Sequence, residues 1–211
     1  MQKNRSNVKE ILLNHINNNI KQYIVVILLF IIGIIIGMLL IENASDEIKT
    51  EISSYMSSFT QNLKENSNVN KNKLFLTSVK NNLKTTLLMW FMGSTIIGIP
   101  IVFGMIVFKG ICIGYTVSSL LGVFGTGKGI MLTFFSIFLH NIICIPAILA
   151  LGVSGINLYK VITKNRHREN VKMEILRHTI FSGIIFVFIL LSSFIESYVS
   201  STLTEWYVNL I

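Results

Sequence analysis

One stretch of the chain comes close to a nucleotide-binding motif. Residues 122–129 read Gly-Val-Phe-Gly-Thr-Gly-Lys-Gly, which follows the phosphate-binding loop pattern G-x-x-x-x-G-K-[ST] up to its last position. Gly129 has no hydroxyl group to bind Mg²⁺, and an apolar run precedes the stretch where the motif requires a β-strand. The sequence therefore predicts a flexible turn here, without nucleotide binding.

No other group of residues has the spacing of a catalytic or metal site. Asp46 is the single aspartate of the chain, whereas intramembrane aspartyl catalysis needs two carboxylates that share a proton. The four histidines are His15, His140, His167 and His178. They lack the spacing of metal ligands, and the motif H-E-x-x-H does not occur. We therefore predict a protein that is not an enzyme and that has no cofactor or metal.

Two polar residues, His140 and Asn141, lie inside the longest apolar run of the chain. Proton and ion pathways normally show ionisable residues within the membrane, and the apolar runs contain no acidic residue. We interpret His140 as a neutral imidazole that bonds to a neighbouring helix, with Asn141 and Ser136 as further members of a local network. A pathway through His140 is the alternative.

The elements that must position these residues are five long runs without a charged residue. They cover residues 23–41, 85–108, 110–127, 129–159 and 179–195. A bilayer core of about 30 Å requires about 20 apolar residues as a helix, and in lipid every backbone polar group must be paired within the protein. The runs predict an all-α, polytopic integral membrane protein with about five transmembrane helices and additional amphipathic interfacial helices.

The charges between the runs sort by side, which predicts the orientation. With the N-terminus inside, the inner segments carry eleven basic and three acidic residues, and the outer segments carry seven of each. The whole net charge of +8 then lies on the cytoplasmic side, as the positive-inside rule expects, and it does not indicate nucleic acid. Residues 1–211 are predicted as one membrane domain. Outside the spans it has a cytoplasmic amphipathic segment (1–22), an extracytoplasmic loop (42–84), a basic cytoplasmic loop (160–178) and an extracytoplasmic tail (196–211). A re-entrant third run is the alternative to five crossings.

Two segments outside the runs have helical apolar periodicity. Residues 7–20 predict an interfacial helix on the inner leaflet, with a frayed polar tail as the alternative. In the outer loop an apolar stripe consists of Ile48, Ile52, Tyr55, Met56, Phe59 and Leu63. This stripe either packs on the outer membrane face or docks a helix of another protein. The candidate partner contacts are Tyr55, Met56, Phe59, Trp206 and Tyr207, since aromatic residues and Met are enriched at interfaces and also collect at membrane surfaces.

Small residues and prolines mark helix contacts within the runs. Gly33–Gly37 and Gly110–Gly114 both have the spacing G-x-x-x-G, which allows helix backbones to approach closely in lipid. This spacing fits packing within the chain or dimerisation. Pro100 and Pro146 lie in the middle of the second and fourth runs, where we expect each to kink a helix.

Several short motifs, taken in order, resemble a known family. They lie at residues 81–84, 93–100, 109–116, 139–147 and 194–200. Together the motifs resemble the stage II sporulation protein M family, polytopic membrane proteins of endospore-forming bacteria, from about residue 5 to residue 202. The wider family tends to have a glycine where this chain has Asn141 and an acidic residue where it has Cys144.

The resemblance implies a scaffold without catalytic activity. It implies partners that degrade peptidoglycan, the stage II sporulation proteins D and P, and a place at the septal membrane during engulfment. The lipid bilayer is the other expected contact. A permease-like subunit of an ATP-driven transporter is the alternative function, because a basic inner loop and kinked spans would also suit an ATPase partner.

Overall fold

The computed structural model describes residues 17–65, 70–95, 97–164 and 168–210. Every regular element within these ranges is helical, which confirms the predicted all-α membrane class. The elements are α1 (Ile20–Glu42), α2 (Asp46–Glu65), α3 (Lys71–Gly93), α4 (Gly98–Thr133), a first π-helical segment (Phe134–Phe138), α5 (Leu139–Lys164), α6 (Arg168–Phe194), a second π-helical segment (Ile195–Ser200) and α7 (Ser201–Val208). Residues 7–16 of the predicted interfacial helix lie outside the described ranges.

Helix α5 lies at the centre of the bundle. Its residues 147–156 are ten consecutive buried positions, and the helix contacts α1, α3, α4 and α6. A helix that is buried on every side needs neighbours all round it. The opposite pattern occurs on α1, where Ile24, Leu28, Ile31 and Ile35 are exposed apolar residues. Such a face suits lipid, and three stretches are long and apolar enough to cross a membrane: Ile20–Glu42, Gly98–Thr163 and Val171–Val208.

The stretch Gly98–Thr163 is folded back on itself at Gly125. This glycine has φ 74° and ψ 168°, and among the described residues it alone has a positive φ. A Cβ atom on Gly129 would lie 2.8 Å from the carbonyl oxygen of Leu120. Nine residues of straight helix would separate these positions by about 13.5 Å, so the chain reverses here. The near-match to a phosphate-binding loop is thus a turn between two antiparallel helical arms.

The helix boundaries differ from the predicted runs at two places. Residues 85–108 do not form one helix, because α3 ends at Gly93 and α4 begins at Gly98. Lys109 does not end a helix either, since lysine is a good helix former and α4 continues through it. The predicted mid-helix kink at Pro100 is wrong. Pro100 lies in the first turn of α4, where its missing N–H has no partner to lose.

Candidate functional site

The two predicted glycine pairs meet each other within one chain. Helices α1 and α4 run parallel, with Gly33 against Gly110 and Gly37 against the turn that contains Gly114. A Cβ atom on Gly33 would lie 3.2 Å from the Cα atom of Gly110 and would overlap the carbonyl oxygen of Val107. The four glycines therefore allow backbone contact between α1 and α4, the most extensive contact between helices.

A line of hydrogen bonds joins α3 to the antiparallel helical stretch from α6 to α7, and we call it the polar seam. The donor and acceptor pairs are Trp90 Nε1 to Thr179 Oγ1 (3.3 Å), Asn82 Nδ2 to Ser193 Oγ (2.9 Å), Ser78 Oγ to Glu196 Oε2 (2.5 Å), Tyr198 OH to Asn72 Oδ1 (2.6 Å) and Lys71 Nζ to Thr202 Oγ1 (2.8 Å). Interhelical hydrogen bonds of this kind hold helices together in lipid, where apolar contact alone gives little preference.

The polar seam contains a carboxylate, that of Glu196, which the sequence predicts outside the membrane. The sequence predicts Glu196 in the outer tail, but the residue belongs to the helical stretch Val171–Val208 and is half-buried beside Ser78. The charge distribution predicts Lys109 on the inner side, between the second and third runs. In the structure it precedes Gly110, which lies against Gly33 near the middle of the apolar run 23–41. Both Glu196 and Lys109 are half-buried. Charged groups are therefore present inside the bundle, which the sequence did not predict.

His140 and Asn141 are neighbours at the start of α5, and their side chains bond to each other. Asn141 is 5% exposed, and its amide donates to the carbonyl oxygen of Ile137 (2.9 Å) and contacts His140 Nε2 (3.2 Å). His140 Nδ1 and Asn141 Oδ1 are buried and have no hydrogen-bond partner in the described part of the chain.

Among the described residues, the predicted bond from the His140 ring to a neighbouring helix is not present. The link between helices goes through the backbone instead, because Ser192 Oγ donates to the carbonyl oxygen of His140 (2.9 Å). The predicted network member Ser136 donates from its hydroxyl group to the carbonyl oxygen of Leu132, four residues earlier (2.6 Å). The carbonyl oxygen of Ser136 accepts a hydrogen bond from Ser200 Oγ (3.2 Å). Ser192 and Ser200 thus donate hydrogen bonds to backbone carbonyl groups in and just after the first π-helical segment.

His178 is a buried polar residue, although the sequence predicts it at the end of the basic inner loop. Its Nδ1 atom lies 2.8 Å from Ser154 Oγ, and its Nε2 atom lies 3.4 Å from the carbonyl oxygen of Trp90. The residue joins α3, α5 and α6 where Gly93 and Gly155 approach closely. The signal was present in the sequence, since His178 shares helical spacing with Phe181 and with later buried residues of α6.

The outer-surface candidates divide into two groups. Met56 and Tyr207 pack against a small cluster of Leu120, Leu132 and Val208, so they hold α2 and α7 onto the bundle. The other three candidates face outward. They are Tyr55 (70% exposed), Phe59 (47%) and Trp206 (56%). Self-packing and an exposed apolar face therefore occur on the same helix α2, on adjacent sides.

Comparison with known proteins agrees with the resemblance. A family model described as Stage II sporulation protein M matches residues 26–201, which is most of the chain. The chain therefore belongs to this family and is a sporulation membrane protein. Neither a curated protein nor a solved structure matches it.

Proposed function

We propose that this member of the Stage II sporulation protein M family is a non-catalytic scaffold in the bacterial cell membrane. It assembles proteins that degrade peptidoglycan, the stage II sporulation proteins D and P, and it localises them at the septal membrane during engulfment. The observation that carries this proposal is helix α2, which is anchored on one side and exposes Tyr55 and Phe59 on the adjacent side. Partner binding favours aromatic residues that are held in place before binding.

The directions of the helices support a membrane topology for this scaffold. Helix α1 and the first arm of α4 run parallel, and α3 runs antiparallel to α6. If α1 crosses outward from the cytoplasm, α3 crosses back to the inner side. The first arm of α4 then crosses outward, and its second arm together with α5 crosses back. Helix α6 crosses outward again. This path gives five crossings and puts α2 and α7 outside the cell. Partners anchored in the same membrane would meet Tyr55, Phe59 and Trp206 there.

The test is capture of partners by tagged protein from sporulating cells in mild detergent, with the bound proteins identified by mass spectrometry. The double variant Tyr55→Glu/Phe59→Glu should lose most of the captured hydrolases, because it puts two charges into an apolar contact. The matched control is Ser54→Glu/Ser57→Glu, which adds the same charges to exposed positions elsewhere around α2. Both variants should insert and fold like the wild type.

Three results would contradict the proposal in different ways. Equal capture by both double variants would remove the α2 stripe from the interface. Capture of an ATPase without any hydrolase would favour the permease-like alternative. A C-terminal reporter that reads as cytoplasmic would overturn the topology.

A further inference from the structure

A cleft at the end of α1 combines apolar walls with two opposite charges. Its volume is about 660 Å³, and it lies between the end of α1, the first half of α2 and the second half of the first arm of α4. The walls include Met38, Ile41, Ile52 and Leu121, together with three serine residues. The cleft is placed where the apolar run 23–41 ends, which is the level of lipid headgroups in a helix that spans the bilayer.

The two charges in the cleft are Glu42 and Lys49, and they do not pair with each other. The Lys49 ammonium donates to the backbone carbonyl oxygen of Glu42 (3.0 Å). The Glu42 carboxylate makes no ion pair, because the single ion pair of the described chain joins Arg177 and Glu174. One anion and one cation thus line the same space, and each is available to a ligand.

The packing of α2 explains why this space stays open. Met56 and Leu63 fix the second half of α2 to the cluster around Leu120, while no residue of α2 is fully buried. Ile52 and Ser53 in the first half are half-buried and lie over the cleft. On the opposite wall, a Cβ atom on Gly122 would meet nothing within 4 Å. The first half of α2 therefore covers a space that the protein itself does not fill.

We propose that this cleft binds a zwitterionic phospholipid whose headgroup ends in a primary ammonium group. The phosphate lies at Lys49, the ammonium group lies at Glu42, and an acyl chain follows the apolar walls. An anionic headgroup without an ammonium group would leave Glu42 without a partner and would add a like charge beside it. The balance of one acidic and one basic residue thus favours the zwitterion over an anionic lipid.

The experiment is native mass spectrometry of the delipidated full-length protein in detergent, titrated with phosphatidylethanolamine or phosphatidylglycerol. The wild type should retain phosphatidylethanolamine about two- to fivefold better, the size expected of one exposed charge contact. Glu42→Gln should abolish this preference, and Lys49→Gln should weaken retention of both lipids. Gly122→Leu should remove most bound lipid, because the side chain enters the open space.

Three control variants keep the result specific to the cleft. Glu47→Gln and Lys64→Gln change the same charges at exposed positions of α2 that do not line the cleft, and they should bind as the wild type does. Gly104→Leu adds the same side chain to open space elsewhere on α4 and should also have no effect. Preference for phosphatidylglycerol, unchanged selectivity in Glu42→Gln, or full retention by Gly122→Leu would each overturn the proposal.

Discussion

The backbone contact between α1 and α4 gives a sharp test of the packing, by replacing Gly110 with alanine. A Cβ atom on Gly110 would overlap the carbonyl oxygen of Phe30 and would lie 3.0 Å from the backbone nitrogen of Ile34. Backbone atoms cannot move aside as a side chain does, so α1 and α4 would have to separate. The matched control is Gly104→Ala on the same helix, where the added Cβ would meet nothing within 4 Å.

The expected difference between the two variants follows from two terms. Overpacking of a tight contact typically destabilises a protein by about 1–3 kcal/mol. Replacement of glycine by alanine inside a helix favours the helix by up to about 1 kcal/mol, and this term is common to both variants. Gly110→Ala should therefore be less stable than Gly104→Ala by about 1–3 kcal/mol, whereas Gly104→Ala should be equal to the wild type or slightly more stable.

The free energy of unfolding can be measured by titration with sodium dodecyl sulfate in mixed micelles, with tryptophan fluorescence as the signal. Equal destabilisation by the two variants would refute the reasoning, because it would show that the α1–α4 contact does not depend on Gly110. A third outcome is also informative. If Gly110→Ala dissociates an oligomer and leaves unfolding unchanged, the G-x-x-x-G spacing serves dimerisation instead.

Two further predictions concern buried polar contacts. Ser78→Ala removes a hydrogen bond to a charged group, so it should lower the free energy of unfolding by about 1.5–3 kcal/mol. Thr77→Ala is its control, because the exposed Thr77 hydroxyl bonds only within its own helix, and an equal loss there would count against the polar seam. His178→Phe should destabilise by about 1–3 kcal/mol, since it leaves the buried Ser154 hydroxyl unpaired. Adding Ser154→Ala should recover part of that loss, and purely additive effects in the double-mutant cycle would show that the two residues are not coupled.

The sequence could predict the helix class and the residues that need close contact, because these depend on composition and on spacing. The apolar runs indicate helices that suit lipid, and the two glycine pairs lie where the structure has backbone contact. The helix ends could not be read from charge in the same way. Lys109 interrupts an apolar run but favours a helix, whereas the real break between Gly93 and Gly98 contains no charged residue at all.

The buried polar contacts were harder to predict, because they depend on which helices are neighbours. Glu196 follows the last apolar run directly, so the sequence places it in a tail. In the structure it accepts a hydrogen bond from Ser78, which comes from a helix 118 residues earlier. His178 was missed for the opposite reason, since nearby basic residues suggested a loop although its helical spacing matched the buried face of α6. Nothing local in the sequence distinguishes Glu196 from an exposed residue, whereas the helical spacing of His178 with Phe181 and Ile185 does indicate burial.

The two π-helical segments connect these contacts to the proposed scaffold. A π-helical turn leaves backbone carbonyl groups without their usual partners, and such turns persist when other groups satisfy them. Ser200 in the second segment donates to the carbonyl oxygens of Phe135 and Ser136 in the first, so the two irregular turns stabilise each other. Phe135 also contacts the rings of Trp206 and Tyr207 on α7. This contact fixes the end of the bundle that bears α2 and α7. A surface that is ordered before binding loses less conformational entropy when a partner binds, which is what an assembly platform requires.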